Sequence, residues 1–402
     1  MPVALPLVGE PRAPAVRVSP FAAKGFRPFF LLAGAFAAVI VPLWLLALRG
    51  VIHPGGSLDA ITWHSHEMVF GFAVAVIAGF LLTAVGNWTQ RETAVGAPLL
   101  GLAALWLAGR VAFLLAPALP AALVAAVDLA FLPALAFAIG RPIVQARNRR
   151  NLVMIAVLAA LWLANLAIHL DGLGVLPGWR RRGSLVAVDV VIAVILIVSG
   201  RVFPMFTRNA TKRDELRSIP ALDVAALVSF AAVIACDALD VTTALAPIAA
   251  GVAAALTLAR TLHWGARHSL RQPLLWILHG AYLFIPLGLA LRAASALTTR
   301  VPPSAATHAL TVGAIGGLTL GMMARVSLGH TGRLLVAPPA ITAAFALVLL
   351  AALLRVVTPI AAPSLYPASL QAVGILWTLA FGLFVAVYAK ILVSPRPDGK
   401  AG

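Results

Sequence analysis

Twelve stretches of this chain are long and apolar enough to cross a membrane, and nothing constrains its fold more. They run over 29–48, 65–86, 98–116, 121–139, 151–168, 184–203, 221–239, 244–262, 273–296, 305–325, 335–357 and 368–392, each closed by Pro, Gly or charge. A spanning helix needs about 20 mostly apolar residues. The third and fourth runs are parted only by Pro117 to Pro120, but joined they would be too long for one span. With 62% apolar and 11% charged residues, against roughly a half and a quarter in soluble domains, an ordinary soluble enzyme and a disordered chain are both excluded. The expected fold class is all-α, a polytopic membrane protein of about 12 transmembrane helices. The loops leave no room for a soluble domain. The expected organisation is a cytoplasmic tail over 1–28, a single membrane domain over 29–392 and a second cytoplasmic tail over 393–402. The length of the first run and of the polar tail before it argue against a cleaved signal.

A net charge of +17 would suggest nucleic acid in a soluble chain. Here it is first a topological signal, because cytoplasmic loops collect Lys and Arg. With the N-terminus inside, 22 of the 30 basic residues fall on the inner side. Five lie outside (Arg49, Arg180, Arg181, Arg182 and Arg300), and Arg110, Arg292 and Arg355 lie within spans. The expectation is N-inside and C-inside, with Arg180–Arg182 as a local contradiction, and no nucleic-acid partner. A single cysteine, Cys236, excludes a disulfide within the chain and any Cys-rich metal cluster. No repeat relates the first six runs to the last six, which speaks mildly against a transporter built from two halves.

This topology sorts the nine histidines. His53, His64, His66, His169 and His308 fall at outer ends or in outer loops, whereas His263, His268, His279 and His330 fall inside. His64 and His66 open the second run and His308 opens the tenth, so three histidines from distant parts of the sequence share one depth. Such convergence is what a metal or haem site requires, since neutral imidazole is a common ligand for iron and copper. The plainer reading, a hydrogen-bonding boundary residue, is preferred for His53, His169, His263 and His268. Glu67 follows His66 directly, and adjacent helical residues diverge by about 100°. Glu67 is therefore expected to serve a group on another helix or to cap its own. His279 and Tyr282, three apart on one face, could ligate metal, relay protons or simply hydrogen-bond between helices.

Gly313, Gly317 and Gly321 recur every four residues along the tenth run. This flat stripe suits close helix packing more than a flat cofactor. His308 and Arg325 lie about 25 Å apart along that helix, so they share no ligand sphere. Arg110 and Asp128 sit at matching depths in consecutive antiparallel runs, and an ion pair is expected between them. Asp189 and Arg292 share a depth as well. Arg292 or Arg355 could meet haem propionates, which call for cations. Cys236, Met205, Met322 and Met323 are soft enough for Cu(I) but are more often apolar filling. No Walker A lysine motif, Rossmann turn or Gly-x-Ser-x-Gly elbow is present.

The chain resembles the NnrS family of bacterial membrane proteins. The resemblance rests on Trp63-His64-Ser65-His66-Glu67-Met68-Val69-Phe70-Gly71-Phe72, on Asn87-Trp88-Thr89 and on the segment from Gly200 through Asn209. It rests also on Leu278-His279-Gly280-Ala281-Tyr282 and on the long segment from His308 through Arg333. It covers nearly the whole chain. It implies an inner-membrane protein of about twelve spans that contains haem and copper and is associated with nitric oxide, nitrosative stress and denitrification. The family's histidine-rich positions fall on His64, His66, His279, His308 and His330, with Glu67, Tyr282, Arg325 and Arg333 as supporting residues. Redox chemistry on nitric oxide at haem is the reaction left open. The chain is also similar, more weakly, to haem-copper oxidase subunit I, whose low-spin haem is held by histidines of the second and tenth spans. The expected ligands are thus His308 with His66, and His64 as the alternate. That oxidase's copper triad has no match, because Asp189 and Cys236 are all that the corresponding spans offer. The competing reading is a transporter or metal-enzyme assembly factor whose histidines line a substrate path.

Overall fold

The structure, a computed structural model, describes residues 18–399. Arg12, Arg17 and Lys400, three of the basic residues expected on the inner side, and most of the N-terminal tail lie outside them. Twelve helices carry the fold. They are α1 (Phe26–Leu48), α2 (Ala60–Thr89), α3 (Ala97–Leu114), α4 (Ala121–Gln145), α5 (Arg149–Gly172), α6 (Trp179–Thr211), α7 (Pro220–Ala238), α8 (Leu245–Ala259), α9 (Pro273–Ser295), α10 (Pro303–His330), α11 (Pro339–Ala361) and α12 (Pro363–Val393). No strand occurs among the described residues. Lipid offers no water to unpaired backbone groups, so apolar runs of this length satisfy themselves as helices. Eleven of the twelve are long and apolar enough to cross a bilayer, and the chain is a multi-pass membrane protein. The eighth run, expected as a full span, gives only the 15-residue α8. At 1.5 Å per residue that is about 22 Å, short of the bilayer core. It stops where Arg260 turns to hold Asp223 on α7 and the Leu196 carbonyl on α6.

Ten helices form a ring in the order α1, α3, α4, α5, α6, α7, α8, α9, α11, α12 and back to α1. The other two, α2 and α10, run inside it and are the most enclosed, with 83% and 78% of an apolar 18-residue stretch of each buried. On one side α6 touches both, and on the other side α1 does. The two inner helices share an unusual feature. Each passes from α to π hydrogen bonding just after its histidines, over Glu67–Ala73 in α2 and Ala309–Gly316 in α10. Such π stretches are rare and concentrate at functional sites. The ring is closed by Arg27, fully buried on α1, whose guanidinium donates to the carbonyls of Leu392 and Ser394 at 2.9 and 2.7 Å. A cation placed there satisfies the free carbonyls at the end of α12.

The glycine stripe of α10 serves packing. A Cβ on Gly313 would collide with Phe284, on Gly317 with the Ala281 Cβ at 2.6 Å, and on Gly321 with Ile277 at 2.9 Å. All three neighbours lie on α9, so the stripe is the seat of α9. Gly317→Ala is expected to destabilise the protein by about 1–3 kcal/mol, as overpacking does. Gly382→Ala on α12, with nothing within 4 Å, is expected to hold or gain stability, since Ala is the better helix former. Thermal unfolding in detergent checks the contrast, and equal melting of the two variants would sink it.

Candidate functional site

His64 and His66 are two residues apart on α2, which sets their side chains about 200° apart around the helix. They therefore enter different surroundings. His66 is fully buried in a polar network. Its Nδ1 faces Glu67 Oε1 at 3.1 Å, and its Nε2 faces Asp128 Oδ2 at 3.1 Å and Asn165 Oδ1 at 2.8 Å. Asn165 donates from Nδ2 to Asp128 Oδ2 at 2.7 Å, which fixes its amide. His169 reaches the same Asp128 oxygen from Nε2 at 2.9 Å. Arg110 spans the two carboxylates, donating to Glu67 at 2.5 Å and pairing with Asp128. The network thus ties α2, α3, α4 and α5 together. One guanidinium faces two carboxylates, and His66, whose two nitrogens meet only acceptor oxygens, stands between the same two carboxylates as a second donor. A polar vestibule of about 250 Å³, lined by Gly55, Gly56, Ser57, Phe113 and His169, reaches the network from the loop end. One ligand atom from each of His66, Asp128 and His169 lies within 4.8 Å of the others, a set that could hold a metal ion.

His64 faces the other way, into a cavity of about 980 Å³ that it shares with His308. This volume is at the top of the range, roughly 300–1,000 Å³, that takes cofactors and drug-sized ligands. The His64 ring stacks on Trp44 with centroids 4.0 Å apart, and its Nδ1 is buried without a hydrogen-bond partner. The Nδ1 of His308 lies 2.6 Å from the Ser304 carbonyl. A carbonyl only accepts, so that nitrogen carries the proton and Nε2 keeps its lone pair. A backbone carbonyl on the far nitrogen is how metal-ligating histidines are oriented. Arg355 is a charged neighbour of both rings. It lies over the Tyr366 ring at 5.1 Å and makes no ion pair among the described residues. Arg292 also lines the cavity but is held by Asp189 at 3.3 Å and Asp237 at 2.7 Å. Of the two arginines considered as propionate partners, only Arg355 is thus uncommitted among the described residues.

Several sequence-derived placements change. Around the cavity His308 is joined by His64, the alternate, and not by His66, whose nitrogens are engaged in the network. The 200° separation was readable from the sequence. His169, taken as a boundary residue, is a buried member of that network. Asn165, which meets the same Asp128 oxygen, precedes it by four on the same helical face, a spacing that would have flagged both. Glu67 does serve another helix through Arg110, but it also meets His66 where the helix passes into its π stretch. The expected Arg110–Asp128 pair is present, and Asp189 and Arg292, placed at one depth by the sequence, also pair. His279 bonds Thr207 on α6 at 2.9 Å, and Tyr282 donates to the Thr257 carbonyl on α8 at 3.3 Å. Both are interhelical hydrogen bonds. His330 lies at the far end of α10, where its carbonyl accepts from Arg396. Arg325 lies 3.9 Å over the Phe206 ring, and Arg333 donates to the Thr331 carbonyl. Met323 is fully buried filling, whereas Cys236 lines the cavity. The outer arginines that opposed the charge bias have local acids. Arg180 pairs with Asp171 and lies 3.8 Å from Asp59, and Arg182 pairs with Asp240. Outside the spans, Asp59 also caps α2. Burial works to raise its carboxyl, but bonds from the Thr62 hydroxyl and from the Thr62 and Ile61 amides hold it below its usual value.

A family model described as "NnrS protein" matches residues 20–396 of the chain. No curated protein matches it.

Removing one partner from a buried charge network strands the others. Asp128→Ala is expected to cost about 3–5 kcal/mol, read as a large fall in unfolding temperature. Glu92→Ala opens the exposed pair with Lys24 and is expected to leave that temperature unchanged. Comparable melting of both variants would show that the network carries no stability.

Proposed function

The chain belongs to the NnrS family, and from that footing we propose that it is a haem- and copper-binding protein of the bacterial inner membrane. Its role in this reading is in the response to nitric oxide and in resistance to nitrosative stress. The observation that carries the proposal is the cavity between the histidine ends of α2 and α10. There His308 is oriented through Ser304 with Nε2 left available, and His64 has a buried nitrogen without a partner. Orphaned buried polar atoms are costly in an apolar interior, and a ligated metal relieves that cost. His64 and His308 are therefore the residues proposed to hold haem, replacing the expected pair of His66 and His308. When bound, haem would supply one-electron redox chemistry and, on release of one of its two imidazoles, a position for a diatomic ligand. Trp44 holds the His64 ring by stacking, and Arg355 offers its guanidinium to the carboxylates of an anionic macrocycle. The apolar wall, with Val69, Val312 and Trp377 among its residues, limits water around the site.

Copper belongs to the same proposal at His66, Asp128 and His169. Two imidazoles and a carboxylate suit that ion, its binding would release the imidazole protons that now face Asp128, and the vestibule gives a way in. The competing reading as a transporter or assembly factor uses the same cavity as a substrate path and predicts no stoichiometric haem.

Purified protein from haem-replete cells is expected to show a Soret band that shifts when nitric oxide is added. His64→Ala/His308→Ala is expected to lose most of that haem, and His279→Ala to keep it. A wild-type protein without a Soret band, or full retention in the double variant, overturns the haem assignment. For copper, His169→Ala is expected to lose the metal while retaining haem, as read by elemental analysis beside the optical spectrum. Unchanged copper in a folded His169→Ala protein refutes that assignment.

A further inference from the structure

A second recess, of about 290 Å³, lies at the other end of the bundle, among the C-terminal ends of α2 and α10, the start of α5 and the lower half of α6. Its two sides differ in chemistry. Phe80, Ile197 and Val198 make an apolar wall, while Asn87, Arg150 and Arg201 gather at its polar end. Arg150 and Arg201 are electrostatic neighbours. Among the described residues neither side chain makes a hydrogen bond or an ion pair. Asp223, the carboxylate whose charge reaches Arg201, is already held by Arg260 at 2.6 Å. This sets them apart from Arg110, Arg180, Arg182, Arg260 and Arg292, each of which has a carboxylate. Two guanidiniums side by side repel, and an anion between them removes the repulsion.

The surroundings say which anion. Val153 and Met205, which also line the recess, are exposed on the outer surface of the bundle. Trp88 at its rim is 37% exposed, the behaviour of a ring at headgroup level. The recess therefore opens sideways onto the lipid-facing surface, with its cations at the polar end and its apolar wall running toward the bilayer interior. The charge bias assigns this end to the cytoplasmic side, where anionic lipid headgroups meet basic pockets between helices. We propose that this recess binds one anionic phospholipid, its phosphate held by Arg150 and Arg201 and an acyl chain laid along Phe80, Ile197 and Val198. The proposal is independent of what occupies the histidine cavity.

The test uses the full chain in a neutral detergent. Unfolding temperature is followed while phosphatidylglycerol, phosphatidylcholine or inorganic phosphate is titrated in. Phosphatidylglycerol is expected to stabilise the wild type saturably, and the other two are not. Arg150→Gln/Arg201→Gln is expected to weaken the apparent affinity by about thirtyfold, two guanidinium contacts' worth. Arg150→Lys/Arg201→Lys is expected to keep most of it. Both side chains are exposed, so the lipid-free melting of these variants should match the wild type. Arg217→Gln/Arg271→Gln, which removes two exposed inner charges away from the recess, is expected to bind like the wild type. Equal stabilisation by inorganic phosphate would assign the arginines to a free anion and overturn the lipid. Equal stabilisation by phosphatidylcholine, or an equal loss in the Arg217/Arg271 variant, would overturn a specific site.

Discussion

The structure depends on one constraint, that ionisable groups drawn into a lipid-embedded bundle must be met by partners from other helices. The group of Glu67, Arg110 and Asp128, with His66, Asn165 and His169 around it, is where this constraint acts most strongly. Four helices contribute, and no member is satisfied by its own helix alone. Apolar packing in a membrane is weakly directional, because lipid tails are as apolar as the side chains they replace. Buried polar groups are directional, and this network sets the rotation of α2 inside the ring. Once His66 is turned toward α4 and α5, His64 is turned the opposite way.

That rotation separates two kinds of site on one helix. Toward α3, α4 and α5 the polar atoms meet one another, with Arg110 Nε alone of the network buried without a partner. Toward α6, α10 and α12 a cavity remains, and the groups on its wall are incompletely partnered. His64 has a buried nitrogen without a partner, His308 has one nitrogen fixed and the other available, and Arg355 has a ring beneath it but no carboxylate. The π stretches of α2 and α10 begin just beyond these histidines. One extra residue per turn changes the register between the histidine end and the remainder of each helix. The glycine stripe of α10 is consumed by α9, so the room for a ligand lies at the histidine end and not along the stripe.

The arginines divide in the same way. Those with a carboxylate within reach hold the frame together, as Arg260 does for α6, α7 and α8 and Arg292 does for α6, α7 and α9. Of those without one, Arg27 is held by carbonyls and Arg325 by a ring, whereas Arg355 faces the cavity and Arg150 with Arg201 the recess at the other end. In a chain with 30 basic and 13 acidic residues, most cations lack an acid, so the unpaired ones inform only where they line a concavity.

The sequence by itself determined the helical class, nearly all of the spans and the Arg110–Asp128 pair, because these follow from local hydropathy, helix length and depth; for Asp189 and Arg292 it gave a shared depth but not that their helices are neighbours. It also contained, unused, the 200° between His64 and His66 and the four-residue spacing of Asn165 and His169. It did not determine that α8 stops short, since that depends on where Arg260 finds Asp223 and Leu196 on other helices. Nor did it determine which helices stand inside the ring. Helix order within a membrane is set by contacts between residues far apart in sequence, and apolar runs of similar composition give no ranking among them. Only the tertiary structure decided that His64 shares the cavity with His308 while His66 is enclosed, because that choice rests on the rotation of α2 against four neighbours.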